Sequence, residues 1–526
     1  MRFDESFDVV VVGFGHGGAI SAITATDHGA STLIVEKSEV PGGLSICSYG
    51  AVRSARDREG AFAYLKATNG GRTPDDVNRA LADGMFEMEA YVRELGKVNN
   101  ARIQTSIEEN EQHETIENTS GDNYRRRISG NYPLPGTEAF YHTSVIDVPG
   151  FDAAKDYPWA NGAPNGPKLF KMVDDNVRKR GIEVRLDTPA LRLISDPATR
   201  EVLGVRVRNN GVERAIQARR GVVLACGGFE GSPEIKQQFL EGNPVFNAAA
   251  RNNTGDGIRM AQDLGAALWH MWLIHGAYGF RHSDPDYPYA IRLKRFPDWF
   301  PGEKHRVKLR MAWILLDQRG TRFMSEYQPY TQDTGVRPMQ YFDPETQTAP
   351  RNPAMMICDD NGRRLYPLGK ATSNDKGVRY EWSDDNLKEV ENGILTKADT
   401  LDKLAQKLGV DPASVIASVA RWNDQCTNGE DRDFGRPAGS MMPIAKPPFY
   451  GAPVWATLSN TQGGPVHDAR SRILDAYGTP IPRLYAAGEL GSAFGHLYLS
   501  GGNIAECFVT GRIAGAGAAH EVARVG

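Results

Sequence analysis

Cysteine is scarce in this chain: five residues among 526, namely Cys47, Cys226, Cys358, Cys426 and Cys507. They are scattered, odd in number and never spaced as Cys-x-x-Cys, which excludes a disulfide framework and a structural zinc site. No metal is expected, and a reducing cytoplasm is the compartment that fits. Long apolar runs are also missing. MAWILLD, from Met311, is far shorter than the ~20 residues a membrane span requires, so none is expected. No export signal is expected either. The opening MRFDESFDVVVVGFG carries two aspartates and a glutamate where basic residues would be needed, and its apolar run soon ends in glycines. Neither sign of charge dominates: 61 Lys and Arg stand against 65 Asp and Glu, and nothing favours nucleic acid as a partner.

What the chain does have is glycine in telling places. DVVVVGFGHGGAISAITATDHGASTLIVEKS reads as a buried strand, a glycine turn, a small-residue helix and a second strand ending in an acid. Gly13, Gly15 and Gly18 satisfy Gly-x-Gly-x-x-Gly directly after the Val-rich strand, with Gly17 between the last two. Backbone amides and the helix N-terminus can therefore approach a pyrophosphate. Glu36, followed by Lys37, lies at the spacing of a ribose-hydroxyl acceptor. Behind it, VPGGLSICSYG supplies a second glycine pair with small hydroxyls, including Gly43, Leu44 and Ser45, which a plain NAD domain does not need. Further stations follow at GVVLACGGF around Gly227, at NTGDGIRMAQDLGA with Thr254, Gly255 and Asp256, and near the C-terminus. There Gly488 and Glu489 precede a helix opening on Gly501, Gly502, Asn503 and Ile504. A ligand touching all of these is long and lies across one fold, so FAD fits better than NAD.

With these motifs the chain resembles the flavoprotein family of fumarate reductase, succinate dehydrogenase and the 3-ketosteroid dehydrogenases, over roughly residues 5–55, 165–275 and 445–522. The resemblance implies an α/β fold with an α+β cap, in which a Rossmann-like FAD-binding domain carries an inserted substrate domain. It implies that Glu36 takes the adenosine ribose, that Thr254, Gly255 and Asp256 help hold the dinucleotide, and that Glu489 meets the ribityl-phosphate region. The helix from Asn503 would aim its positive end at the flavin N1/C2=O edge. Covalently flavinylated relatives carry a histidine near the first Gly-Gly-x-Ser segment. GGLSICSYGAVR has none, so FAD is expected to be noncovalent. The expected domains are residues 1–270 with 445–526 for FAD, including an insertion at about 61–150, and 271–444 for the cap. The basic run RLKRF with KHRVKLR reads as solvated cap surface.

Soluble fumarate reductases hold a dicarboxylate with an arginine in a segment like G-A-N-R-L-G-G-N and a histidine before T-x-G-G. Here GHLYLSGGN offers Tyr498, and LSNTQ precedes Gly463, so that clamp is missing. A second substrate carboxylate would lose charge-assisted bonds worth ~1.5–3 kcal/mol each. The stretch resembles the 3-ketosteroid dehydrogenases instead, and Tyr498 with Ser500 is closer to the Δ4-(5α) enzymes than to the Δ1 enzymes. The resemblance implies that the Tyr498 hydroxyl and Gly502 amide stabilise an enolate oxygen while a tyrosine takes the α-proton. Tyr327 and Tyr330 are both candidates for that base. The expected activity is desaturation of a cyclic ketone, a 3-ketosteroid or a smaller cyclohexanone-type compound, with an unidentified electron acceptor. A reductase running in reverse is the rival, with Arg292, Arg295 or Arg322 as its acid.

Overall fold

The structure is a computed structural model that describes residues 2–111, 130–296, 310–327 and 335–524. Its first sheet grows from the apolar run near the amino terminus. Strand Glu5–Val12 pairs in parallel with Val212–Leu224 on one side and Thr32–Val35 on the other. Its valines 9 to 11 are wholly buried, as expected for a parallel strand covered on both faces. Pro480–Ala486 and Glu183–Arg185 extend the parallel order at the two ends. Antiparallel strands Ala190–Ser195, Val202–Asn209 and Arg472–Leu474 complete the eight.

Helix His16–Asp27 crosses over from the first strand and is packed by the last helix, Gly502–His520. Both are rich in Gly and Ala, so their backbones come close. The segment expected as an insertion contributes helices Arg58–Asn69 and Asp75–Gly96 and two strands, Arg102–Thr105 and Phe140–Asp147, which join Ala51–Ala55 in a small antiparallel sheet. Helix Asp75–Gly96 buries Leu81, Met85, Met88 and Val92 against the layer holding the last helix.

The second sheet is mainly antiparallel, in the order Ile314–Leu316, Ala354–Asp359, Phe449–Leu458, Tyr278–Arg281, Ala290–Leu293 and Gly369–Lys370. Helices Leu401–Leu408 and Pro412–Asn428 close one of its faces through Leu404, Val415, Val419 and Trp422. Strand Phe449–Leu458 lies within the stretch the sequence assigns to the FAD domain, yet it sits at the centre of this second sheet. We therefore place the return to the first unit after Leu458. The local sequence does not announce this placement, because the strand's partners lie at residues 278–279 and 354–359.

Two short antiparallel ladders carry the chain between the sheets: Leu268–Trp269 with Gly464–Pro465, and Ile274–His275 with Asn460–Thr461. They bring His275 and Asn460 to the junction. Among the described residues, no helix is long and apolar enough to cross a membrane, and no group of three or more His, Cys, Asp or Glu could hold a metal.

Candidate active site

A cleft runs past the carboxyl ends of the central parallel strands, the place where open α/β sheets receive ligands. Twelve residues expected from sequence line it: Gly13, Gly15, Gly17, Glu36, Lys37, Gly43, Leu44, Ser45, Gly227, Asp256, Gly488 and Glu489. The glycines of the first turn divide their work. A Cβ on Gly18 would stand 1.9 Å from the Gly13 carbonyl oxygen, so that glycine packs helix on strand and lies outside the lining. A Cβ on Gly15 would meet Ser45 Oγ at 3.2 Å and Gly42 O at 3.9 Å, and Gly15 borders the cleft.

Glu36 ends the second strand with its carboxylate accepting from the Phe14 and Ser38 amides, both at 2.8 Å. Burial raises its pKa, and those two amides oppose the rise. Lys37 reaches Thr254 Oγ1 and Asp256 Oδ2, each at 2.6 Å. Thr254 thus orders the cleft from behind, and Gly255, at φ 76°, caps the helix that starts at Asp256. Sequence reasoning missed His16, Ser38, Asn252, Asn253, Cys226, Asn374 and Cys507, which share the lining. Asn374 comes from the second unit, and its amide donates to Gly43 O at 2.9 Å and Pro41 O at 3.2 Å. No local pattern could have announced that.

Farther along, Glu489 accepts from the Thr461 amide at 2.9 Å. Glu230, also buried, is its neighbour: a Cβ on Gly228 would lie 2.9 Å from Glu489 Oε1 and 3.2 Å from Glu230 Oε2. Burial, then the facing Glu230 carboxyl, holds the Glu489 pKa well above the usual range. Two like groups so placed retain a proton between them. Cys47 is buried and its thiol is pushed up to about 12 by that burial, so it is packing.

Tyr498, 4% exposed, stands just before the last helix. Its phenol oxygen accepts from the Asn503 amide at 3.2 Å, in the first turn of the helix Gly502–His520. Phe494 packs edge-on at 5.3 Å between centroids, and the His275 ring lies 4.1 Å away. His275 Nδ1 pairs with Asn460 Oδ1 at 2.7 Å. Burial drives its pKa down to about 3, and the nearby Arg292 charge pushes the same way. It is therefore a neutral imidazole at neutral pH. Asn460 occupies the place just before Thr461-Gln462-Gly463-Gly464 where the fumarate reductases carry a histidine.

Two expectations need correction. The Gly502 amide donates to Leu499 O at 2.7 Å, closing the turn, so that donor is spent inside the chain; the amide one residue on, Asn503, does the polar work. Arg292, in the run read as solvated, is half-buried and donates to Tyr49 Oη at 3.3 Å. Ser500 acts through its backbone: its amide donates to Asn131 Oδ1 at 2.6 Å and its carbonyl accepts from Arg53 Nε at 2.7 Å. Tyr327 packs in the second unit on Phe296, with the Arg295 guanidinium 4.8 Å from its ring centre. Tyr330 lies outside the described residues. Arg322 is buried in ion pairs with Glu326 at 2.7 Å and Asp431 at 2.8 Å, which makes it part of the cap core.

The arrangement fits FAD. A glycine turn open to a pyrophosphate and an acid and a lysine at the end of the second strand border one cleft, which the last helix reaches at Cys507. Asn503 adds a buried side-chain amide whose oxygen and nitrogen both lack a partner among the described residues, as a contact awaiting a polar ligand edge would.

Comparison with known proteins agrees. A family model described as FAD binding domain matches residues 8–504. The chain is 26% identical to a 3-oxosteroid 1-dehydrogenase of Mycobacterium tuberculosis, over 97% of this chain and 98% of that protein. It is 27% identical to a 4-oxocyclohexanecarboxylate 2-dehydrogenase of Sinomonas cyclohexanicum, over 92% and 88%. The solved structure of 3-ketosteroid Δ1-dehydrogenase from Sterolibacterium denitrificans, in complex with 1,4-androstadiene-3,17-dione, superposes with a TM-score of 0.78 at 24% identity, covering 98% of this chain and 99% of that one.

Proposed function

The chain belongs to the FAD binding domain family of FAD-dependent oxidoreductases, and from that membership we propose that it desaturates a cyclic ketone at the carbons α and β to the carbonyl. The observation that carries this reading is the Tyr498 phenol held by the Asn503 amide at 3.2 Å. An amide that donates to the phenol oxygen polarises it, so the phenol is a better donor to a developing enolate. The named substrates of the relatives, oxosteroids and an oxocyclohexane, support a ring ketone.

In this account the Tyr498 hydroxyl hydrogen-bonds the ketone oxygen. A cap tyrosine, Tyr327 or Tyr330, takes the α-proton, and the carbon–carbon double bond forms as hydride departs from the β-carbon. FAD, bound noncovalently, supplies the two-electron acceptor for that hydride. Gly13, Gly15, Glu36, Lys37 and Asp256 hold its adenine and pyrophosphate half, and Glu489, Asn503 and Ile504 its flavin half. Ser500 keeps the loop rigid by having both its amide and its carbonyl bonded, which fixes where the phenol stands. His275, neutral, offers the ring face beside Tyr498 without adding charge.

The test is anaerobic mixing of the yellow protein with 4-androstene-3,17-dione, cyclohexanone and 4-substituted cyclohexanones. Loss of the visible flavin band with formation of the enone is expected for at least one. If no ketone bleaches the flavin while an enone reoxidises the chemically reduced protein, the reaction runs in the opposite direction and the proposal fails.

A further inference from the structure

A short strand of the second unit, Ser373–Asn374, pairs antiparallel with Ala160–Asn161 of the first. The two residues that follow tie the same crossing. Asp375 is buried and forks onto the Arg251 guanidinium, Oδ2 to Nε at 2.6 Å and Oδ1 to Nη2 at 2.9 Å, and it accepts from the Tyr289 hydroxyl at 3.0 Å. Lys376 meets Glu39 at 2.9 Å on the surface, where an ion pair contributes little.

Within this crossing the Asn374 side chain can be set only one way round. Its amide nitrogen lies 2.9 Å from Gly43 O and 3.2 Å from Pro41 O. Carbonyl oxygens only accept, so the nitrogen faces both and Oδ1 points elsewhere. The residue is 7% exposed and borders the cofactor cleft. Its Oδ1 is buried with no partner among the described residues, and an amide oxygen so placed costs stability unless a donor reaches it. A phosphate oxygen, itself an acceptor, cannot be that donor. The loop against which Asn374 sits continues to Ser45, whose Oγ accepts from the His16 amide at 3.1 Å and would stand 3.2 Å from a Cβ on Gly15. One loop thus separates Asn374 from the glycine turn that is open to a pyrophosphate. In FAD the donors flanking the pyrophosphate are sugar hydroxyls, those of the ribose on one side and of the ribityl chain on the other.

We infer that Asn374 is a cofactor-binding residue supplied by the second unit, its Oδ1 accepting from a sugar hydroxyl of FAD, so that the cofactor fastens the second unit to the first at this crossing. The inference concerns the cofactor alone and is independent of the ketone reading. Binding that draws on both units is linked to their docking in both directions: FAD holds the crossing together, and a loosened crossing weakens FAD.

FAD titrated into the FAD-free protein, read by quenching of flavin fluorescence, tests the contact. Asn374→Ala is expected to raise the Kd for FAD by about 10-fold, the loss of one buried hydrogen bond. It should also shrink the rise in thermal midpoint that FAD gives, rather than lower the FAD-free and FAD-loaded midpoints equally. The same titrations with ADP and FMN identify the hydroxyl: weakened ADP alone assigns the adenosine ribose, and weakened FMN alone the ribityl chain. An unchanged Kd for FAD, with both midpoints falling together, reduces Asn374 to a tie between the units and overturns the inference. The parent protein gives a second arm that no folding defect can blur. Amide hydrogen exchange across residues 370–380 is expected to slow by about 10-fold or more on FAD binding, while helix Pro412–Asn428, which takes no part in the crossing, keeps its rates. Equal slowing in both segments, or none at 370–380, overturns the fastening.

Discussion

Glu506 lies in the second turn of the last helix, wholly buried. Its carboxyl accepts from Ser492 Oγ at 2.7 Å and from the Ala493 amide at 2.6 Å. Two donors and the positive helix end favour the carboxylate, the helix end by about 0.3–1 kcal/mol. Burial outweighs them and raises the pKa from 4.5 to about 7. The sign follows directly. The unfolded chain loses this proton near 4.5 and the folded chain keeps it until about 7, so stability falls as pH climbs through that window and stays low above it. Some 2.5 units at 1.36 kcal/mol each is about 3 kcal/mol. Glu506→Gln keeps an oxygen for the Ala493 amide and cannot ionise. Urea unfolding of the FAD-loaded protein followed by tryptophan fluorescence should show variant and parent alike near pH 4.5. The variant should be more stable by about 3 kcal/mol at pH 8. A parent and variant whose midpoints run parallel from pH 4.5 to 8 would show that Glu506 is ionised throughout and that burial does not dominate.

The glycine turn yields a contrast: Gly15→Val should leave the fold and strip the FAD, while Gly18→Ala, whose Cβ would stand 1.9 Å from Gly13 O, should lower the thermal midpoint of the apoprotein. The same loss in both properties for both variants would refute the division of roles. Glu36→Ala should reduce FAD occupancy by removing the acceptor at the ribose end, and acid precipitation of the parent should release all its flavin; flavin left in the pellet means a covalent bond. His16 is buried against Phe170 and Phe508, with neither ring nitrogen partnered among the described residues and its pKa forced down to about 3 by burial. A depressed histidine weakens the fold as pH falls below its unfolded value of 6.5, by about 2 kcal/mol at pH 5. His16→Leu should flatten that acid limb, and an unchanged acid midpoint would count against it.

Much of the cofactor cleft was legible because its signals are local. A Val-rich strand, three spaced glycines and an acid at the next strand end lie within one stretch, and each constrains the backbone where it stands. The second unit was harder. Its central strand, Phe449–Leu458, is defined by partners at residues 278–281 and 354–359, and no window spans that distance. The same reason hid the contact of Arg292 with Tyr49, since residues 49 and 292 meet only once the chain has folded. The Gly502 amide shows a subtler loss: sequence locates the turn, but the bond to Leu499 O decides which amide remains for chemistry, and it is Asn503.

Tyr498 is proposed to stabilise the charge that develops on a ketone oxygen. Tyr498→Phe keeps the ring packed between Phe494 and His275 and removes only the hydroxyl, at the cost of leaving the Asn503 amide without the acceptor seen here at 3.2 Å. Stopped-flow reduction of the bound flavin, under anaerobic conditions and with a ketone that the parent protein turns over, tests it most directly. Retained FAD, a limiting reduction rate lower by about 10²-fold or more, and kcat and kcat/KM falling together are expected. A Phe variant that reduces its flavin at the parental rate, or one that changes KM alone, would contradict it.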